Sequence, residues 1–256
     1  MDEKTALEIY KIAKEAGVED FGIHMHIGSG IMQAEPYLRS MEKLLDVASK
    51  IHNQLEIDFD FMDIGGGIGV PYRPGEEELN VEKFAETLTS LFKRKLSEHS
   101  LGKPELWLEP GRYIVAESTI LLTRVNTVKE TPHRNFVGVD AGFNVLIRPA
   151  MYGSYHHIIV ANRLNEEPTK MYDIVGPICE TGDVLAKDRF LPKISEGDII
   201  AILTTGAYGY SMSSQYNSRP RPAEVLVKDG KHELIRERET FQDLLRGQKT
   251  ASWLRD

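Results

Sequence analysis

The chain has 256 residues, 41% of them apolar, and carries 31 basic against 39 acidic side chains for a formal net charge of -8. That length buries at least one full core and leaves room for two domains, while the acidic balance, without a basic run, offers no electrostatic footing for a nucleic-acid partner or an anionic membrane surface. Cys179 is the only cysteine, so no intrachain disulfide forms; a free thiol, the absence of any apolar run near the ~18 residues of a membrane span, and a charged amphipathic start at residues 1–17 together point to the cytoplasm.

The first part alternates helix and strand signals. Thr5 to Glu8 has the spacing of a capping box, and the helix it opens stops at Gly17. A strand is expected over Phe21 to Ile27. Pro36 suits a helix start, and Tyr37, Leu38, Met41, Leu44, Leu45, Ala48 and Ile51 then recur at helical spacing. The apolar strand Phe59 to Ile64 follows. Asn80 can cap a helix with Phe84, Leu88, Leu91 and Phe92 on one face, and Glu105 to Leu108 reads as a third short buried strand. Strand-then-helix alternation predicts a parallel sheet.

Beyond Arg112 the texture changes to short β-rich runs: Ile120 to Val128, Phe136 to Val139, Tyr172 to Val175, Ile199 to Leu203 and Ala223 to Val227. Their connections are rich in Gly and Pro, and only the tail, Thr240 to Arg246, reads as another helix. The expected organisation is an α/β domain over residues 1–115 and a mainly antiparallel β-domain over residues 116–256.

Three loops fall at the C-terminal ends of the parallel strands: Ile27-Gly28-Ser29-Gly30, Gly65-Gly66-Gly67-Ile68-Gly69, and Glu109-Pro110-Gly111-Arg112. Ligand sites of α/β sheets form at such ends. Glycines let backbone N–H groups approach a phosphate, Ser29 adds a hydroxyl donor, and Arg112 brings a guanidinium against a dianion. Each loop by itself is an ordinary turn, and a phosphate site is argued from their order and placement. The histidines, among them His24, His26, His156 and His157, complete no zinc spacing with a second cysteine, so no metal is expected.

His26-Ile27-Gly28-Ser29, Gly65-Gly66-Gly67, Glu109-Pro110-Gly111-Arg112, Cys179-Glu180 and Gly206-Ala207-Tyr208 stand in the order found in the alanine-racemase-like decarboxylases, and the chain resembles that family from about residue 5 to residue 245. The segment Arg148-Pro149-Ala150-Met151-Tyr152-Gly153-Ser154-Tyr155-His156-His157-Ile158 is especially similar to the diaminopimelate decarboxylases within it. The resemblance implies part of a (β/α)8 TIM-type barrel, its C-terminal half, followed by a β-domain. It implies pyridoxal 5'-phosphate as cofactor, with the phosphate taken by Gly65, Gly66, Gly67, Ser29, Gly111, Arg112 and Tyr208.

By the same resemblance Glu109 sits at the cofactor's ring nitrogen, where a carboxylate favours the protonated ring, and His26 stacks on the ring face with His24 expected to point the other way. Arg112, Arg148, Tyr152, Glu180 and Tyr208 match substrate-binding positions. Two guanidinium groups and a phenol suit a distal carboxylate, and Glu180 a distal ammonium. Cys179, in Gly176-Pro177-Ile178-Cys179-Glu180-Thr181-Gly182-Asp183, aligns with the residue that protonates the carbanion once CO2 has left. A homodimer with this loop reaching the neighbouring subunit's cofactor is implied.

The family attaches its cofactor to a lysine on an early barrel strand. The lysines before His26 are Lys4, Lys11 and Lys14, all on the predicted first helix, so none is nominated. A whole barrel takes ~250 residues, of which the part before the boundary supplies about half. The expectation is therefore a truncated diaminopimelate decarboxylase forming L-lysine, not competent alone and completed by the missing barrel half. A decarboxylase of another basic amino acid or of carboxynorspermidine, or a non-catalytic binding homologue, stands as the alternative.

Overall fold

A computed structural model describes residues 2–254. The chain divides into two compact units, with the boundary between Val115 and Ala116.

In the first unit, helix α1 (Glu3–Glu15) precedes β1 (Gly22–His24), α2 (Glu35–Leu55) precedes β2 (Phe61–Gly66), and α3 (Val81–His99) precedes β3 (Glu105–Glu109), after which α4 (Gly111–Val115) makes a short turn. The strands are parallel in the order β1-β2-β3, with Ile23 opposite Met62 and Met62 opposite Leu106. Successive parallel strands require crossover connections, and the two long amphipathic helices provide them. Tyr37, Met41, Leu45, Ala48 and Ile51 of α2 and Phe84, Leu88 and Phe92 of α3 are buried with Met62 and Ile64 of β2. Complete burial of a side chain such as Met62 or Ile64 contributes about 1.5–3 kcal/mol.

Three local expectations are corrected. The cap of α1 is Asp2, whose Oδ1 accepts the Thr5 N–H at 3.0 Å and whose Oδ2 accepts the Thr5 hydroxyl at 2.7 Å, so the helix starts before the predicted box. An aspartate at that point satisfies first-turn amides and complements the helix dipole. Strand β1 is shorter than expected because the chain leaves the ladder for its glycine loop after Met25, whose N–H still reaches the Asp63 carbonyl at 3.0 Å. Strand β3 is exposed: it is an edge, with Trp107 46% and Leu108 39% accessible, and Trp107 stacks on Phe61 at 4.0 Å between ring centroids.

The second unit contains β4 (Leu121–Glu130), β5 (Asn135–Val139), α5 (Arg148–Tyr152), β6 (Ile158–Val160), β7 (Lys170–Val175), β8 (Val184–Leu191), β9 (Ile199–Ile202), the hairpin β10 (Glu224–Lys228) and β11 (Lys231–Arg236), and α6 (Phe241–Leu244). The six-stranded sheet runs β6-β9-β4-β5-β7-β8; every pairing is antiparallel except β5 with β7. Val125, Val137, Ile174, Leu185, Ile200 and Ile202 fill its core. Strands β6, β8 and β11 escaped the sequence reading. Polar residues interrupt β8, and only three residues make up β6, so neither shows a clear alternation.

Candidate active site

The three strand ends of the first unit meet as close-packed backbone. A Cβ on Gly66 would overlap the Glu109 carbonyl, one on Gly67 the Gly28 carbonyl, and one on Gly65 the Met25 carbonyl while pressing the His26 ring, whose Nδ1 would lie 3.2 Å away. Gly65 and Gly67 also have φ of 73° and 93°, in the left-handed region that favours glycine. This run of glycines is therefore what lets the ends of β1, β2 and β3 converge. The Ile31 to Ile68 bridge joins the first two loops further, and the Tyr37 hydroxyl supports the second from below by donating to the Gly66 carbonyl at 3.1 Å.

Arg112 spans this cradle: its Nη2 donates to Ser29 Oγ at 3.1 Å and its Nη1 to the Tyr72 hydroxyl at 2.8 Å. Ser29, Gly65–Gly67, Gly111 and Arg112 are thus brought together as the sequence suggested, and Tyr72 joins them without any sequence signal. A guanidinium, a hydroxyl and glycine backbone at one mouth are the chemistry a phosphate dianion requires.

Beside this lies a second group. His24 Nε2 is 3.5 Å from Glu109 Oε2, both side chains half-exposed, and the buried Asp63 contributes an oxygen within 4.8 Å of a ring nitrogen of His24 and a carboxylate oxygen of Glu109. Asp63 also accepts the Gly65 N–H through Oδ1 at 2.8 Å. His24 does not point away from the site as expected. Its ring turns instead to the Glu109 carboxylate at the end of β3.

Lys4, Lys11 and Lys14 all lie on α1. Lys14 Nζ donates to the Leu55 carbonyl at the C-terminal end of α2, on the approach to β2, so it sits at the opposite end of the sheet from the glycine cradle.

The second unit holds the remaining sequence-derived residues. Cys179 and Glu180 are exposed on the loop between β7 and β8. That loop is organised by Asp183, 3% exposed, whose Oδ2 accepts the Ile178 N–H and whose Oδ1 accepts the Phe143 N–H, each at 2.7 Å. Its backbone closes a turn as well, the Gly176 N–H reaching the Asp183 carbonyl at 3.0 Å. Asp183 therefore ties the Cys179 loop to the segment leading into α5, which carries Arg148 and Tyr152. The sequence showed Asp183 as part of a quoted motif but gave it no role; its flanking glycines were the available signal.

Arg148 and Tyr152 differ sharply. Tyr152 is 63% exposed at the end of α5, whereas Arg148 is 6% exposed and its Nη1 meets His156 Nε2 at 2.9 Å. A guanidinium only donates, so Nε2 accepts, and the proton of this neutral imidazole lies on Nδ1, donating to the Leu203 carbonyl at 3.0 Å. Tyr208, at φ 61°, stands in the turn after β9, where the Gly206 N–H is fixed to the Ala116 carbonyl at 2.9 Å.

Strand ends bearing a glycine-lined cradle beside a carboxylate, followed by a β-sheet unit, define an α/β protein with a site suited to a phosphate group. The family described as "Pyridoxal-dependent decarboxylase, C-terminal sheet domain" matches residues 29–206, and the chain belongs to that family. It is similar to the diaminopimelate decarboxylase of Methanothermobacter thermautotrophicus, at 57% identity over 98% of this chain and 59% of the relative. Among solved structures it resembles the diaminopimelate decarboxylase of M. jannaschii, with a TM-score of 0.89 and 34% identity over 99% of this chain and 58% of that one. The complex of that enzyme with L-lysine gives a TM-score of 0.88 at 36% identity, covering 97% of this chain and 56% of that one. The fold is accordingly part of a (β/α)8-type barrel followed by a β-domain, and the chain spans about three fifths of the length of the relatives it matches. Among the described residues no helix is long and apolar enough to cross a membrane.

Proposed function

We propose that this chain is the larger part of a pyridoxal 5'-phosphate-dependent decarboxylase that converts meso-2,6-diaminopimelate to L-lysine. The observation that carries the reading is the convergence of Ser29, the Gly65–Gly67 run and Arg112 on one cradle, with Glu109 and His26 beside it. The fit to the cofactor is chemical: the cradle offers hydroxyl, guanidinium and closely packed glycine backbone for a phosphate, and Glu109 offers an exposed carboxylate for a protonated ring nitrogen. The relatives' activity and the lysine-bound neighbour support the substrate class.

When bound, the cofactor supplies an electron sink for the pair left behind as CO2 departs. Ser29, Gly65, Gly66, Gly67, Gly111, Arg112 and Tyr208 would hold its phosphate. Glu109 would favour a proton at the ring nitrogen, and His26 would lie against the ring. Arg112, Arg148, Tyr152 and Tyr208 orient the substrate's distal carboxylate, and Glu180 its distal ammonium. This favours an amino-acid end over a bare amine, because guanidinium and phenol donors pair with a carboxylate that a bare amine lacks. Cys179 returns a proton to the reacting carbon. The assembly is a homodimer in which the Cys179 loop serves the partner subunit's cofactor, and it works in the cytoplasm.

Turnover requires the barrel strands that the relatives carry and this chain does not span. The test mixes the chain with pyridoxal 5'-phosphate, records absorbance before and after borohydride, and weighs the product. The expected result is reversible cofactor binding without a reduced adduct, with lysine formed from meso-diaminopimelate only when the remaining barrel sequence is supplied. A stable adduct on one of the chain's own lysines, with turnover by the chain alone, overturns the requirement for that sequence. Failure to form lysine even in the complete enzyme overturns the substrate assignment.

A further inference from the structure

The Cys179 loop is held from two sides. Asp183 grips it from beneath, as described, and Asn217 Nδ2 donates to Cys179 Sγ from above at 3.6 Å. Asn217 has φ 59° and ψ 30°, a left-handed conformation that asparagine and glycine adopt at least cost. Its turn is anchored to the segment that Asp183 also holds. The Ser214 N–H donates to the Asn144 carbonyl at 2.8 Å, and the Tyr216 ring packs on Phe143 at 5.3 Å between centroids. Phe143 is the residue whose N–H Asp183 accepts. One frame therefore sets both the sulfur and the amide donor that faces it.

An amide N–H is a poor partner for a neutral thiol and a good one for a thiolate, because hydrogen bonds strengthen as the acceptor gains charge. We infer that Asn217 is a positioning residue for Cys179, placing a donor where negative charge develops on sulfur as the thiol gives up its proton. The inference rests on the reading of Cys179 as proton donor. In that step the S–H bond breaks and its electron pair stays on sulfur. The proton joins the electron pair on the carbon that has lost CO2, forming a C–H bond, and the thiolate later regains a proton from water. The Asn217 N–H is not transferred; it lowers the free energy of the sulfur anion.

Since Cys179 is the only thiol, iodoacetamide alkylation followed by intact mass reports its ionisation in the whole chain, with no cofactor, substrate or turnover. Asn217→Gly removes the donor and keeps the left-handed backbone unstrained. Asn217→Asp keeps the shape and puts a carboxylate where the amide stood. The midpoint of the rate against pH is expected to rise by about half a unit in Asn217→Gly and by about one unit or more in Asn217→Asp, with high-pH plateau rates within about twofold of one another. An unchanged midpoint in Asn217→Gly overturns the inference, and so does a midpoint in Asn217→Asp no higher than in Asn217→Gly, since that marks a backbone effect. Failure of the underlying reading looks different: full turnover by Cys179→Ser in the enzyme extended to its relatives' length overturns the catalytic role while the alkylation order stands.

Discussion

The Tyr37 hydroxyl donates to the Gly66 carbonyl at 3.1 Å, so the middle of the glycine cradle is propped by helix α2. Tyr37 is 1% exposed, and burial pushes its phenol up to about 12. Tyr37→Phe keeps the ring packing against Phe84 and removes only this bond, for an expected loss of about 1 kcal/mol. Thermal unfolding checks it, with Tm lower by roughly 2–4 °C. The phenol also adds alkaline sensitivity: its pKa is raised in the fold, so unfolding favours ionisation. Stability is held below the ordinary phenol value of 10.0 and falls as pH rises toward about 12, a decline that Tyr37→Phe lacks.

Gly66→Ala tests the cradle itself. A methyl there overlaps the Glu109 carbonyl and must displace the end of β3 that carries Glu109 and leads to Arg112. Pyridoxal 5'-phosphate affinity, measured by equilibrium dialysis, is expected to fall by about tenfold or more, a change of roughly 1.4 kcal/mol. Gly75→Ala is the control: nothing lies within 4 Å of an added Cβ there, so it strains only its own positive-φ backbone and leaves binding unchanged.

Asp183→Asn leaves one acceptor where two buried N–H groups need partners. The expected destabilisation is about 1–3 kcal/mol. Hydrogen exchange at the Phe143 and Ile178 amides should accelerate together, since one carboxylate holds both. Gly176→Ala should produce the same pair of faster amides, because its methyl would occupy the space of the Asp183 carboxylate. Accelerated exchange at only one of the two amides in Asp183→Asn would mean that they are not held as a unit.

Glu239 supplies an acid-side prediction. Its carboxylate accepts the Arg221 side chain through Oε1 at 2.7 Å, and through Oε2 the Arg221 N–H at 2.9 Å and Gln215 at 2.9 Å. These partners, the Arg221 side chain foremost, hold its pKa at about 2 against an ordinary 4.5. A depressed carboxylate pKa contributes stability present above the ordinary value and lost as pH falls through the depressed one. Tm should therefore drop between pH 4.5 and about 2, with a shallower slope for Glu239→Gln over that window.

Much of the first unit was legible because its signals are local. The helical spacing from Tyr37 to Ile51, the cap at Asn80 and the glycine loops after apolar strands each follow from a few adjacent residues, and the ordered motifs carried the family. The convergence of Ser29, Gly65–Gly67 and Arg112 was legible the same way: they lie on three consecutive strand ends, and parallel pairing brings such ends together.

What the sequence left open depends on contacts between distant segments. Tyr72 meets Arg112 across 40 positions and Asn217 meets Cys179 across 38, and no pattern within either segment announces its partner. Asp183 had no role in the sequence reading, yet the fold buries it under two backbone donors that offset its desolvation. Nothing in the sequence around Arg148 announced that it would be buried, yet packing places it against a neutral His156. Residue types and their order along the chain determined the kinds of chemistry available here. Which donor faces which acceptor, and which charges leave water, was decided only when the tertiary structure closed those long loops, because burial and hydrogen-bond pairing belong to the folded chain as a whole.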